Sequence, residues 1–221
     1  MRASQLRPYL LIAPSLIFLL LLFVVPLVQT FALAFDTPSG AGFGNVSQML
    51  DDLDFGDAVR NTFALVVCVV PLQLAAALGM SMMLRHIRRG RDFVLWIWTI
   101  PLGISDLAAG LVWLAILTDK GYLNTVLFEL GVIPAPQSWL TYETPGVLFL
   151  GILIAELWRA TAIVFVVLVA GVQLIPKEYE EAASVFGATA WQRFRRVTLP
   201  LLRPSIQTAL VLRTVLAFEV I

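Results

Sequence analysis

The stretch Glu178-Tyr-Glu-Glu-Ala-Ala-Ser-Val-Phe-Gly187, running on through Ala188 to Pro200, is the polar interruption around which the rest of the chain is ordered. Apolar runs flank it on both sides. It carries Lys177, Arg193, Arg195, Arg196 and Arg203, the basic bias expected of a segment left on the cytoplasmic side of a membrane. Pro176 cannot continue the helix before it, and Glu178, Glu180 and Glu181 put negative charge into the first turns of a new helix, where the dipole favours it. Gly187 permits a turn, after which Thr189 can cap a second helix reaching Val197. Trp191, Phe194 and Val197 recur at helical spacing among Arg193, Arg195 and Arg196, so this second helix has one apolar and one basic face. Residues 176–203 therefore read as a helix-turn-helix projecting from a membrane domain.

Composition supports a membrane protein. Of 221 residues, 59% are hydrophobic and 14% charged, and the mean hydropathy of +0.88 is far from that of a soluble domain. Working outward, the predicted spans are 9–34, 61–84, 93–117, 146–170 and 204–221, each close to the ~20 residues that cross a bilayer core. The first is too long for the ~7–15-residue apolar core of a signal peptide. Residues 36–57 hold aspartates and no Lys or Arg, which suits the outer face. Residues 118–145 read as an outer loop with one short interfacial helix at 123–130. Arg2, Arg7, Arg85, Arg88, Arg89, Arg91 and the basic residues of 176–203 then all fall inside. Arg60 and Lys120 fall outside, and Arg159 and Arg213 lie within spans. This puts the N-terminus in the cytoplasm. The fold class expected is an all-α polytopic membrane helix bundle of about five spans, forming a single transmembrane domain over residues 1–221.

The zero net charge and the absence of a basic tract interleaved with aromatics argue against nucleic acid. Only Lys120 and Lys177 are lysines, and neither ends a Gly-Lys-Ser/Thr phosphate loop, so this chain is not expected to bind ATP in that way. There is no His-Glu-x-x-His, no Gly-x-Ser-x-Gly and no cysteine pair, so no enzyme, metal or cofactor chemistry is expected. Cys68 reads as a small packed hydrophobe within its span, and His86, among arginines, as a solvated loop residue.

What remains are ionisable groups inside the spans: Asp106, Glu156, Arg159, Arg213 and Glu219. Each costs about 2.5–3.5 kcal/mol at a helix centre facing lipid, so each should face the bundle, a partner or water, and they are the default pathway candidates. Glu156 and Arg159, three apart, can also simply pair with each other. Asp106 could instead cap carbonyls freed by a kink at Pro101.

Glu181-Ala182-Ala183, Gly187 and Leu199-Pro200 together resemble the coupling loop of permease subunits of binding-protein-dependent ABC importers. Glu156-Leu-Trp158-Arg159 is similar to a Glu-x-Trp-Lys/Arg stretch of the sugar-type members. Arg213-Thr-Val-Leu-Ala-Phe218 is similar to their Arg-Thr-x-x-Ala-Phe, although Leu216 stands where an acidic residue is frequent. The resemblance implies that Glu181 pairs with a basic group on an ATPase subunit, that Ala182 and Ala183 allow close docking, and that Gly187 makes the turn. It further implies two copies of an ATPase using ATP and Mg, a second permease, an extracytoplasmic solute-binding protein, and a carbohydrate or glycoside as solute. Trp158, beside the charged pair, suits stacking on a sugar ring. Members of the family usually have further spans, so the chain is expected to lack the last of them. The alternatives are an interfacial amphipathic helix held by lipid at 176–203, a secondary transporter in which Asp106, Glu156 or Glu219 carries a coupling proton, and an assembly subunit with no pathway.

Overall fold

The computed structural model of the protein describes residues 3–37, 40–87 and 89–218; Glu219, one of the pathway candidates, lies outside them. The chain forms two compact units, Met1–Asn61 and Thr62–Ile221. In the first, α1 (Ala3–Leu19), a π-helical turn (Leu20–Val24) and α2 (Val25–Ala34) make one continuous apolar helix. The widened turn falls just before Pro26, whose missing N–H and ring interrupt the regular ladder. Thr30 Oγ1 donates to the Pro26 carbonyl at 2.9 Å. Over Leu11–Ala34 none of the most apolar window is buried within the protein. β1 (Asp36–Thr37) then pairs antiparallel with β2 (Gly40–Ala41), and α3 (Gly44–Leu50) follows. Asn45 Nδ2 ties α3 back by donating to Leu33 O at 3.2 Å and Asp36 O at 2.9 Å.

α4 (Phe55–His86) has Asp57 in its first turn and Arg85 and His86 in its last, each sign at the end the helix dipole favours. The run 93–117, expected as one span, is instead α5 (Arg91–Thr99), a 3₁₀ turn (Ile100–Gly103) and α6 (Asp106–Leu117). Pro101 denies the ladder a donor, and Ser105 starts the new helix by accepting at Oγ from Ala108 N at 3.2 Å. α7 (Tyr122–Glu129) is the short helix predicted in the following loop. Its buried Asn124 organises that loop, donating to Asp119 O at 3.0 Å and Gln137 O at 2.7 Å and accepting from Trp139 Nε1 at 2.9 Å. α8 (Pro145–Gln173) is the long central helix. After it come α9 (Lys177–Val185), α10 (Ala190–Arg193), a second π-helical turn (Phe194–Thr198), α11 (Leu199–Leu201) and α12 (Arg203–Ala217). This second widened turn also precedes a proline, Pro200.

Among the described residues four apolar helical stretches are long enough to cross a membrane: Leu11–Ala34, Phe55–His86, Asp106–Glu129 and Pro145–Gln173. α12, with 15 residues, is shorter. The core of the second unit lies between α4, α8 and α12. Ala77 and Leu84 of α4 meet Val164, Phe165, Leu168 and Val169 of α8 and Ala209 of α12. Trp98 of α5 caps this cluster edge-on against Phe165, ring centres 5.3 Å apart. α4 buries a single stripe, Val66, Val69, Val70, Gln73, Ala77, Ser81 and Leu84, at helical spacing. Cys68 lies off that stripe and is exposed, not packed as expected.

Association of helices in lipid rests on close packing more than on expulsion of water, so small residues decide where backbones approach. Gly171 of α8 is such a point: a Cβ placed on it would come within 2.6 Å of Ser205 Cβ on α12. Gly171→Val is expected to force α12 outward and destabilise the bundle by about 1–3 kcal/mol. Thermal unfolding in detergent should show the loss, with partial recovery in Gly171→Val/Ser205→Gly; no recovery would mean that this contact does not set the helix spacing.

Candidate functional site

The three core helices meet at a buried polar junction. Glu156 of α8 is 5% exposed, Arg213 of α12 2% and Gln73 of α4 0%. Arg213 Nη2 donates to Glu156 Oε1, and Arg213 Nε donates to Gln73 Oε1 at 2.6 Å. Gln73 Nε2 donates to the Glu156 backbone carbonyl at 2.9 Å, which closes a ring through all three helices. Arg159, one turn along α8, donates from Nη2 to Glu156 Oε1 at 3.0 Å and from Nε to Oε2 at 3.1 Å. Its remaining Nη1 donates to Asp106 Oδ1. Two guanidiniums thus balance two carboxylates, the condition under which charges withdraw from water tolerably.

The junction forms part of the wall of a cavity of about 140 Å³ lined by Pro101, Leu102, Ile104, Asp106, Arg159, Ala160, Ile163, Arg213 and Leu216. Three of its lining residues, Pro101, Leu102 and Ile104, lie in the break between α5 and α6. At about 140 Å³ the cavity is smaller than the ~300 Å³ of a usual small-molecule pocket. Asp106 is paired with Arg159 rather than with a carbonyl freed at the kink, its side chain 81% exposed; it sits in the first turn of α6, where Ser105 is the N-cap, accepting from Ala108 N. Trp158 lies outside this lining, packed edge-on against Trp113 with ring centres 6.1 Å apart. Gln73 was missed in the sequence; a single amide two residues after Pro71 in an apolar run was the available signal.

The second site is the hairpin α9–α10. Gly187 holds φ +77°, the left-handed conformation its turn requires. Thr189 and Gln192 form a reciprocal capping box, Thr189 N donating to Gln192 Oε1 at 2.8 Å and Gln192 N donating to Thr189 Oγ1 at 3.3 Å. Arg193 closes the hairpin, donating from Nη1 to Ser184 Oγ at 3.0 Å and Ala188 O at 3.2 Å. Glu181 and Ala182 are exposed and Ala183 half-buried. Val185 and Phe186, 85% and 90% exposed, make an apolar tip, and Trp191 stacks on Phe194 with ring centres 5.4 Å apart. Arg195 and Arg196 point out beside them. Glu180, read from the sequence only as negative charge at the start of α9, ties the hairpin to its neighbours: Arg85 of α4 pairs with it, and Thr198 Oγ1 donates to its Oε1 at 2.9 Å.

Residues 73–219 match the family of binding-protein-dependent transport system inner membrane components. The chain belongs to this family. The permease is 31% identical over 221 residues to the trehalose/maltose transport system permease protein MalF of Thermococcus litoralis, a match covering 96% of this chain and 73% of that one. It is 30% identical over 228 residues to the trehalose transport system permease protein SugA of Mycobacterium tuberculosis, covering 99% and 71%. Among solved structures, a bacterial ABC transporter involved in import of the acidic polysaccharide alginate superposes with a TM-score of 0.81 at 26% identity, over 96% of this chain and 74% of that chain. Membership makes this a multi-pass inner-membrane transport component that works with a solute-binding protein, and decides against a self-sufficient proton-coupled carrier and against an enzyme.

Within the permease, replacing Glu156 with Gln leaves Arg213 buried with its charge unmatched. The expected cost is about 3–5 kcal/mol, whereas joint replacement of Glu156 and Arg213 with Leu is expected to be far milder. Unfolding midpoints of the two variants in one detergent check this; equal losses would mean the pair is not a coupled unit.

Proposed function

We propose that this permease is the membrane subunit of an ATP-driven importer of a carbohydrate or glycoside, energised through the α9–α10 hairpin. The observation that carries the reading is the hairpin itself. It is a separately capped knob with exposed Val185, Phe186 and Trp191 at 85%, 90% and 65%, flanked by exposed Arg195 and Arg196. A folded, rigid element with an uncovered apolar tip suits a cleft in another protein better than water. In this reading the N-terminus and the hairpin are cytoplasmic, as the placement of basic residues favours.

Each of two ATPase copies, using ATP and Mg, grips one such hairpin, and a second permease supplies the other. Glu181 meets a basic group on the ATPase, and Ala182 and Ala183 let its surface come close. Closure of the ATPases moves α9 and α10, and with them α8 and α12, tilting the bundle from inward-facing to outward-facing. Solute delivered by the binding protein passes the wall lined by Asp106, Arg159 and Arg213, the second permease completing a compartment that this chain's cavity only begins. Glu156 holds Arg159 and Arg213 in position. Trp158, facing Trp113, lies farther along the path. A carbohydrate is supported by the trehalose, maltose and alginate systems to which the chain is similar, and by a lining in which aligned charges offer donors and acceptors to hydroxyl groups.

Two experiments test this. Ala183→Arg is expected to abolish co-purification of the ATPase while the permease still folds; retention of the ATPase would sink the docking reading. Asp106→Asn, at the exposed edge of the cavity, is expected to raise the solute concentration for half-maximal uptake several-fold with an unchanged melting temperature. Uptake kinetics indistinguishable from those of the unaltered transporter would remove Asp106 from the path.

A further inference from the structure

We infer that Glu180 is a positioning residue that makes α4 move together with α8 and α12 when the hairpin is displaced. This rests on the hairpin being the docked element. The hairpin is joined through the backbone to α8 by residues 174–176 and to α12 through α11 and Leu202, so a push on it reaches those two helices directly. α4 has no such connection. It packs on α8 and α12 through Ala77 and Leu84, and its polar tie to the hairpin itself is the Arg85 to Glu180 ion pair, made across 95 residues of sequence.

The pair is built as a junction. Glu180 Oε1 receives both Arg85 Nη1 and, at 2.9 Å, Thr198 Oγ1, so one carboxylate oxygen joins the end of α4, the first helix of the hairpin and the π-helical turn after the second. Thr198 is 2% exposed. The Arg85 and Glu180 side chains are 18% and 30% exposed, shielded enough that salt screens the pair less than a surface one. Ser184 Oγ donates to the Glu180 carbonyl at 2.8 Å and is itself held by Arg193. The hairpin and the anchor are thus tied to each other by a continuous chain of polar contacts.

The need for such an anchor comes from the other end of α4. Gln73, twelve positions before Arg85 and so about 18 Å along the helix, is locked into the Glu156 and Arg213 ring. If α8 and α12 tilted while α4 stayed behind, Gln73 would be pulled from Arg213 and Glu156, leaving buried polar groups without partners. Holding α4 at both ends keeps the ring intact through the stroke and delivers the movement to the cavity wall.

The test uses the complete transporter, with its ATPase and binding protein, in proteoliposomes. Glu180→Gln is expected to keep the ATPase bound and hydrolysing ATP while solute moved per ATP falls by about 2-fold to 30-fold, the range over which single residues modulate coupling. The exchanged pair Arg85→Glu/Glu180→Arg is expected to recover much of that ratio, which a merely structural loss would not allow. An unchanged ratio in Glu180→Gln overturns the proposal, and so does release of the ATPase, which would make Glu180 a docking residue like Ala183. In a Cys68→Ser background, joining Arg85→Cys to Glu180→Cys with a bifunctional thiol reagent should leave transport running, because the two groups travel together. A block relieved by cleaving the link would show that they must part, and would overturn it.

Discussion

A charge buried in lipid has no water to turn to, so it must find its partners within the protein, and the ring of Glu156, Arg213 and Gln73 is how this bundle meets that demand. Each group sits on a different helix: α8, α12 and α4. Side chains of fixed reach can satisfy one another only at one register, so the ring sets how far each helix is slid and turned relative to the others. Apolar contacts above and below it, around Phe165 and Leu168 on one side and Val69 and Val70 on the other, fill the space that the register leaves. Close approach at Gly171 and Ser205 then fixes the spacing of α8 and α12 nearer the hairpin.

From that junction the structure extends in two directions. Toward the cavity, Arg159 takes the spare capacity of Glu156 and reaches Asp106, so a fully buried charge is linked by one side chain to an exposed one. Toward the hairpin, α4 runs unbroken from Gln73 to Arg85, and Arg85 meets Glu180. The cavity lining, proposed as part of the solute path, and the element proposed to receive force are thus connected by one unbroken helix and two polar junctions. Salt bridges at such places matter less for net stability than for holding a single arrangement.

Much of this was legible in the chain. The hairpin could be placed from Pro176, Gly187 and Thr189 because capping and turn chemistry are local: each depends on residues within a few positions. The apolar runs 9–34, 61–84 and 146–170 fall on helices long enough to cross a membrane, since length and hydropathy are local properties. Pro101 was legible as a kink but not in kind. Pro26 and Pro200 are absorbed by widened helical turns, whereas Pro101 breaks its helix outright because Ser105 is present to cap a new one. Gln73 was hidden because a lone amide in an apolar run has no meaning until a partner 140 residues away is brought to it. Cys68 was misjudged because apolar surroundings in sequence do not tell which face of a membrane helix meets protein and which meets lipid.

By itself the sequence determined the class of molecule, the existence of the hairpin and the set of ionisable groups that had to be accommodated within the membrane, since hydropathy, helix caps and desolvation cost are properties of short stretches. Only the tertiary structure decided which of those groups meet. Pairing across helices depends on register and rotation, and these are set by contacts between residues far apart in the chain, which no local pattern encodes.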